Sequence, residues 1–305
     1  MPRANGKVIL LGEHAVVYGV PAIAAGIERG VDAHASPAHS SSLQIGERMA
    51  RPGDDSELGR AFAALLARLG ASNWAVVASL ELPPGSGLGA SAALGVAIAR
   101  AVLAASGEPQ DDQRVLSAAA AWEGVYHGNP SGIDAAAAAH AGCLMYDKSN
   151  GPEPIALGRE LILAIGLAGP PASTKLMVES VARLRERRPE VVDKALEGIR
   201  ALVQNAKLCL EAGDLPGLGS LMNYNQMLLS GLFVSSEGIE RCCAIAREAG
   251  ALGAKLTGAG GGGAVIALCD ADFQPVLAAW RAAGIECFGS HVRPRARANG
   301  SSVDQ

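Results

Sequence analysis

The sequence lacks several features that would assign it to a membrane or to nucleic acid. No stretch of about 18 residues runs without polar interruption, so we expect no membrane span. The chain carries 26 Lys and Arg against 30 Asp and Glu, and this mild acidity argues against nucleic acid as the main partner. The N-terminus lacks the layout of a signal peptide and leads almost directly into a strand-like run.

The chain also lacks any CxxC pair. The spacing of its cysteines suits neither a zinc site nor a disulfide framework. We therefore expect buried, reduced thiols in a cytoplasmic protein. The six cysteines are Cys143, Cys209, Cys242, Cys243, Cys269 and Cys287.

The 305 residues are enough for one large or two smaller domains with a sizeable core. Strand-like runs occupy 7–11, 74–82, 142–147, 160–168, 263–270 and 285–293. Helical spacing covers 57–70, about 91–105, 112–126, 174–250 with a break at 211–219, and 272–283. The absence of regular βαβ alternation favours an α+β fold. We expect an N-terminal domain at 1–155, a C-terminal domain at 156–293 and a polar tail at 294–305.

The stretch "ELPPGSGLGASAALG", residues 81 to 95, places very little side chain just before a predicted buried helix. Gly85, Gly87 and Gly89 leave the backbone N–H groups free to surround an anion. The helix that follows adds its unpaired N–H groups and the positive end of its dipole, so phosphate binding is expected. The alternative is a tight strand-to-helix turn in which Ser91 is only an N-cap. The loop matches neither a Walker A motif nor the Rossmann fingerprint.

A second motif, "GKVILLGEHAVVYG" at 6–19, carries charge at both ends of a predicted buried strand. Lys7 stands at the beginning of the strand, and Glu13 and His14 stand at its end. Ionisable residues there are costly unless they are paired or used. A surface lysine is the structural alternative.

Two further motifs follow along the chain. "EGVYHGNPSGID", residues 123 to 134, places Glu123 on a helix and Asp134 at the end of a kinked loop. "KLTGAGGGGAVIAL", residues 255 to 268, has four consecutive glycines that allow close backbone approach. Each motif alone has a structural explanation, as a helix-end carboxylate, a loop aspartate or a flexible turn. Their combination and order indicate a functional site.

The order GEHxVVYG, PPxSGLGxSAA, HGxPSGxD and GAGGGG resembles the superfamily of galactokinase, homoserine kinase, mevalonate kinase and phosphomevalonate kinase. The resemblance extends from about Gly6 to Ile266 and is strongest to the mevalonate kinase family, as in "STKLMV" at 173–178 and "MNYNQMLL" at 222–229. It implies two domains, an N-terminal one like ribosomal protein S5 and a C-terminal ferredoxin-like α/β one, with the active site between them.

The resemblance also implies roles for individual residues. Asp134 and Lys7 are the implied catalytic pair beside the substrate hydroxyl. Glu123 and Ser91 are the implied Mg²⁺ ligands, and Glu13, His14 and Thr174 are implied to line the substrate pocket. The residues implied to hold the ATP phosphates are Pro84, Gly85, Ser86, Gly87, Leu88, Gly89, Ala90, Ser91, Gly258, Ala259, Gly260, Gly261 and Gly262.

The implied activity is ATP- and Mg²⁺-dependent phosphorylation of (R)-mevalonate to 5-phosphomevalonate, in the mevalonate pathway of isoprenoid biosynthesis. The alternatives are a related kinase of phosphomevalonate, homoserine or a sugar, a diphosphomevalonate decarboxylase, which the Lys7 motif and Glu123 disfavour, and a non-catalytic binding protein. The implied partners are a small-molecule substrate and a second copy of the chain in a homodimer.

Overall fold

The structure is a computed structural model that describes residues 2–83, 85–127 and 132–294. Pro84, residues 128–131 of the predicted loop and the tail from 295 lie outside the described residues. The strands are β1 (Arg3–Leu11), β2 (Ala22–Pro37), β3 (Ser42–Ile45), β4 (Arg48–Ala50), β5 (Trp74–Leu80), β6 (Cys143–Asp147), β7 (Gly151–Ile155), β8 (Leu161–Leu167), β9 (Gly253–Leu256), β10 (Ala264–Cys269) and β11 (Cys287–Val292). The helices are α1 (Glu57–Leu69), α2 (Ala90–Ala105), α3 (Asp112–His127), α4 (Ile133–Ala139), α5 (Thr174–Arg187), α6 (Pro189–Ala212), α7 (Leu215–Gly231), α8 (Glu237–Glu248) and α9 (Gln274–Ala282), with a 3-10 helix at Ala15–Tyr18.

The N-terminal half is built around β2, a strand of 16 residues. The sheet runs in the order β4-β3-β5-β2-β6-β7, and β1 pairs with β2 outside that path. Its pairings are antiparallel except that of β3 with β5. Because β2 pairs with β1, β5 and β6 along its length, it fixes the position of β1 and the residues that β1 carries.

Helix α2 is buried on nearly all sides, as its sequence predicts. Its run of Ala, Gly and small apolar side chains lets α2 pack against β1 and β2 as well as α3 and α4. An apolar helix enclosed in this way has little freedom to move. Its N-terminus, at Ala90, is therefore held firmly beside β1.

The C-terminal half contains an antiparallel sheet in the order β11-β8-β10-β9. Helix α7 packs against the edge strand β9 with almost no side chain between them. A Cβ atom on Gly253 would lie 2.1 Å from the carbonyl oxygen of Gly219, so only glycine permits this contact. The close approach places polar side chains of α7 within reach of the β9 backbone.

The two halves are joined by hydrogen bonds between distant parts of the chain. The Ile9 N–H of β1 donates to Thr257 Oγ1 at 2.7 Å, just beyond β9. The Glu28 N–H of β2 donates to Ser290 Oγ of β11 at 2.9 Å. The first bond holds the end of β1 against the C-terminal half, near the main cavity, and the second joins the two sheets.

The mixed α+β architecture confirms the predicted fold class, and the boundary at 155 stays a prediction. The sequence pattern gave no helix at Ile133–Ala139 and no strands at Gly151–Ile155 or Gly253–Leu256, although the structure has all three. The helix has only 7 residues, about two turns, which is too short to show a clear period. Gly151–Ile155 contains two prolines, which argue against a strand, and Gly253–Leu256 has only four residues with a lysine among them. The predicted break in the long helical region narrows to Gly213 and Asp214, because α7 begins at Leu215.

Two expectations from composition concern the thiols and the helices. All six cysteines are free; Cys209 and Cys287 are partly exposed and the other four are buried. Burial raises the pKa of Cys143 to about 12, which leaves its thiol unreactive near neutral pH.

Within the described ranges, no helix combines the length and apolar content needed to cross a membrane.

Candidate active site

The ammonium group of Lys7 lies against the carboxylate of Asp134. Lys7 Nζ is 2.9 Å from Asp134 Oδ1; the lysine side chain is 4% exposed and the aspartate side chain 38%. The sequence predicts Asp134 at the end of a loop, but the structure places it in the first turn of α4. The short helix directs the carboxylate toward Lys7 on β1, and both side chains line the cavity.

The glycine-rich loop lies directly on Lys7. Gly85, Gly87 and Gly89 have φ values of 69°, 80° and 76°, the left-handed region that glycine adopts without strain. A Cβ atom on Gly89 would come within 2.6 Å of Lys7 Cγ. The Lys7 N–H donates to the Leu88 carbonyl at 2.9 Å. Bare backbone at Gly89 is therefore what allows the loop and the lysine to meet.

The first turn of α2 faces the same cavity. Gly89 is its N-cap and makes no side-chain cap, and Ala90, Ser91 and Ala92 line the cavity. The first N–H groups of a helix have no acceptor within it, and they carry the positive end of the dipole. The loop and the helix N-terminus together offer a site that suits phosphate.

Glu123 of α3 is a buried carboxylate with an unused oxygen. Its Oε1 has no hydrogen-bond partner among the described residues, and the side chain lines the cavity. Burial, with a further contribution from Asp134, raises the pKa of Glu123 to about 7, while the Ser91 hydroxyl opposes the rise. A buried polar atom without a partner is costly, so a cation-binding role would account for its position.

The oxygens near Glu123 fit Mg²⁺ better than a transition metal. Among the described residues, no group of three or more His, Cys, Asp or Glu could hold a metal ion. Mg²⁺ needs only one or two carboxylates when substrate phosphates and water complete its shell. Ser91 Oγ, which accepts from Trp122 Nε1 at 3.3 Å, is a suitable second ligand.

Another wall of the cavity is formed by the turn after β1. Its lining includes His14, Val16 and Val17, together with Thr174 and Val178 of α5. His14 Nε2 is 2.8 Å from the Ala259 carbonyl, so Nε2 carries the proton and Nδ1 is left as an acceptor. Burial lowers the pKa of this imidazole. The wall is mostly apolar and neutral, and it suits a carbon skeleton rather than a triphosphate.

Glu13 lines the cavity, yet protein groups use both its oxygens. Lys255 Nζ donates to Glu13 Oε1, and Asn225 Nδ2 donates to Oε2 at 3.0 Å. The side chains of Lys255 and Glu13 are both fully buried. Burial raises the pKa of Glu13 and lowers that of Lys255, and each partner's charge opposes the other's shift. The role of Glu13 in binding substrate stays a prediction, and this geometry shows that both carboxylate oxygens also bind protein donors.

The second glycine-rich segment divides into two parts. Gly258 and Ala259 line the cavity, as predicted. Gly260, Gly261 and Gly262 do not line it. A Cβ atom on Gly260 would lie 2.1 Å from the Val234 carbonyl, and one on Gly262 would lie 2.0 Å from the Pro170 carbonyl. These glycines allow close packing of neighbouring backbone, and their predicted contact with phosphate has no support from this arrangement. Leu88 is likewise a core side chain, fully buried.

The structure brings most of the predicted site residues into one cavity of about 320 Å³. Their convergence comes from five separate parts of the chain. The predicted residues that line it are Lys7, Glu13, His14, Gly85, Ser86, Gly87, Gly89, Ala90, Ser91, Glu123, Asp134, Thr174, Gly258 and Ala259.

The sequence analysis did not single out Lys255 and Asn225. The signal for Lys255 was a charged residue inside the apolar run that forms β9, where charge requires a partner. Asn225 stood in the quoted "MNYNQMLL" segment, but helical periodicity gives no reason to favour it over Asn223. Both residues donate hydrogen bonds to Glu13. Lys255 lies 242 positions from Glu13 in the sequence, and Asn225 lies 212 positions from it.

Comparison with known proteins gives consistent matches. Residues 57–142 match the model of the GHMP kinases N terminal domain, and 190–286 match that of the GHMP kinases C terminal. A mevalonate kinase of Pyrococcus horikoshii is 36% identical over 93% of this chain and 92% of its own length. A mevalonate kinase of Aeropyrum pernix is also 36% identical, over 87% of both chains. The crystal structure of L. major mevalonate kinase in complex with R-mevalonate superposes with a TM-score of 0.87 at 33% identity, covering 97% of this chain and 96% of the other.

Replacement of Gly89 by alanine tests whether the contact with Lys7 matters. The new Cβ atom would displace the lysine, so we expect Gly89→Ala to lower kcat by about tenfold or more. Gly107→Ala is the matched control, because Gly107 has a φ of 70° but no atom of the described part of the chain lies within 4 Å of the added Cβ. Both variants lose about 1–2 kcal/mol from the left-handed backbone. Steady-state kinetics and thermal unfolding measure the two effects, and equal loss of kcat in both variants would contradict the steric account.

Proposed function

The chain belongs to the mevalonate kinases of the GHMP kinase family, and from this premise we propose that it transfers the γ-phosphoryl group of ATP to the 5-hydroxyl of (R)-mevalonate. It is an ATP-dependent kinase of a small molecule. The observation that supports the proposal most is the Lys7–Asp134 pair, which faces a cavity bordered by bare backbone. A hydroxyl beside the pair would lie next to a phosphate on the loop.

Phosphoryl transfer to an alcohol depends on positioning and charge neutralisation more than on covalent chemistry. In the proposed mechanism, Asp134 orients the acceptor hydroxyl and accepts its proton as the new bond forms. Lys7 stabilises the negative charge that develops on the hydroxyl oxygen. The close contact of Gly89 with the lysine stem keeps the ammonium group in place for this task.

The phosphate groups of ATP would lie along the backbone N–H groups of Gly85 to Ser91. Bound Mg²⁺ would supply charge neutralisation on the phosphates, and Glu123 and Ser91 are the ligands we propose for it. The unpartnered Oε1 of Glu123 supports this assignment. The chain's own part is to hold these oxygens in fixed positions before substrate arrives.

The charge of the cavity favours an acceptor with a single carboxylate over one that already carries phosphate. Among the described residues that line it, Lys7 is the only lysine or arginine, and Asp134 already neutralises it. A phosphorylated acceptor would bring two further negative charges and would need more cationic partners. We therefore favour mevalonate over phosphomevalonate. A cytoplasmic homodimer that binds neither nucleic acid nor membrane remains our prediction for the assembled protein.

The proposed activity is tested by offering the purified protein several acceptors with ATP and Mg²⁺. We expect mevalonate to give the highest kcat/KM among mevalonate, phosphomevalonate, homoserine and galactose, measured as ADP release with mass analysis of the product. Asp134→Asn should lower kcat about 100-fold or more while ATP still binds. Asp112→Asn, which also changes an aspartate in the first turn of a helix, should keep wild-type kcat. A different preferred acceptor, or full activity in Asp134→Asn, would overturn the assignment.

The metal assignment is tested by Glu123→Gln, which keeps the size of the side chain and removes its charge. Loss of one anionic ligand should raise the Mg²⁺ concentration for half-maximal rate by about tenfold or more. Glu108→Gln is the control, since Glu108 pairs with Arg114 on the surface. The measurement is a Mg²⁺ titration of the initial rate for each protein. An unchanged Mg²⁺ requirement in Glu123→Gln would remove Glu123 from the metal site.

A further inference from the structure

The turn at the end of β1 has an unusual backbone. Gly12 has a φ of 105°, and His14, which is not glycine, has a φ of 60°. A positive φ is strained for a residue with a side chain, and it persists only where the surroundings hold the backbone. Because His14 and the neighbouring Val16 and Val17 line the cavity, whatever holds this turn also sets the shape of the wall.

The turn is held from the C-terminal half of the chain. Glu13 accepts from Lys255 and Asn225 with its two oxygens, and His14 donates to the Ala259 carbonyl. Lys255 also donates to the Leu256 carbonyl at 2.7 Å, so its ammonium group has two acceptors. These side chains are buried, which shields their interactions from water and salt.

The strand that carries Lys255 is itself fixed by helix α7. Strand β9 is at the edge of its sheet, and its outward N–H groups need acceptors. The Ala254 N–H donates to Asn223 Oδ1 at 3.0 Å, and the Leu256 N–H donates to Gln226 Oε1 at 2.9 Å. Lys255 stands between these two anchored residues, while Asn225 projects from the same helix. Strand and helix form a rigid support for Glu13.

A buried ion pair of this kind is weak evidence for a stabilising role. Desolvation of both charges offsets most of their attraction, and apolar side chains of similar volume often replace such a pair without loss of stability. What the pair does supply is a fixed direction, because both Glu13 oxygens must meet their donors. An explanation through geometry fits the arrangement better than one through stability.

We propose that Lys255 and Asn225 are positioning residues for acceptor binding: through Glu13 they hold the Gly12–His14 turn, and with it the wall that contacts mevalonate. This inference rests on the proposed function. Neither residue lines the cavity, so both act through Glu13. The phosphate side of the site, at the glycine loop and α2, is held mainly by β1 and by the packing of α2.

The test uses variants of the full chain and separate KM values for the two substrates. The double variant Glu13→Gln with Lys255→Met removes both charges together, so that no buried charge is left unpaired. Asn225→Ala removes one hydrogen bond to Glu13. The controls are Lys207→Met, which breaks the exposed pair with Glu153, and Asn205→Ala, which breaks an exposed bond to the Ala201 carbonyl.

We expect the KM for mevalonate to rise by about 10- to 100-fold in the double variant and by less in Asn225→Ala. The KM for ATP should stay within about twofold of the wild-type value in both variants, because only the wall of the cavity that contacts mevalonate is disturbed. The two controls should match the wild type. Because a general loss of folded protein lowers kcat without changing either KM, this split separates positioning from stability.

An unchanged KM for mevalonate, or an equal rise in both KM values, would overturn the inference. If the double variant does not fold, Asn225→Ala decides by the same criterion. The result is separable from the proposed function itself. A wild-type protein that does not phosphorylate mevalonate would reject the function, whereas an active wild type with unaffected variants would reject only the positioning role.

Discussion

The ammonium group of Lys7 is buried on β1, and the carboxylate of Asp134 compensates it across 2.9 Å. Much of the surrounding structure serves this one contact. Helix α4 begins where it must to present the carboxylate, and Gly89 lacks a side chain where one would collide with the lysine stem. The long strand β2 fixes β1 in the sheet. If the pair were separated, the cavity would keep its shape but lose the groups that can act on a hydroxyl.

Two further sets of buried charges surround this pair: Glu123 beside Asp134, and the ion pair of Lys255 with Glu13. The Glu123 carboxylate is close enough to Asp134 to have its pKa raised further, after the larger effect of burial. A cation at this point would relieve both effects, which is why the proposed Mg²⁺ site and the proposed catalytic pair belong together. The fully buried Lys255 and Glu13 are different, because protein groups bind both oxygens of Glu13, and Lys255 has two acceptors. Glu123 and Asp134 therefore belong to the proposed reaction site, whereas Glu13 supports the wall of the cavity.

The sequence could predict the components of the site because its chemistry depends on local features. Bare glycines before a buried helix, and charges at the ends of a buried strand, are visible in single segments, and the family resemblance supplied their combination. Asp134 was found in this way, although its helix was missed because "IDAAAAA" is too short to show a period. The partners of Glu13 were not predictable in the same way, because a contact across more than 200 residues leaves no local pattern. The run of glycines at 260–263 shows the reverse limit: composition indicated close approach, but the partners at Gly260 and Gly262 are Val234 and Pro170 rather than the cavity.

The most direct measurement is a crystal structure of the protein with (R)-mevalonate and a non-hydrolysable ATP analogue. The account predicts that the 5-hydroxyl oxygen lies within about 3 Å of both Lys7 Nζ and an Asp134 carboxylate oxygen, in line with the γ-phosphorus. A hydroxyl that contacts neither side chain, with the Lys7–Asp134 pair still closed, would contradict the central role given to this pair.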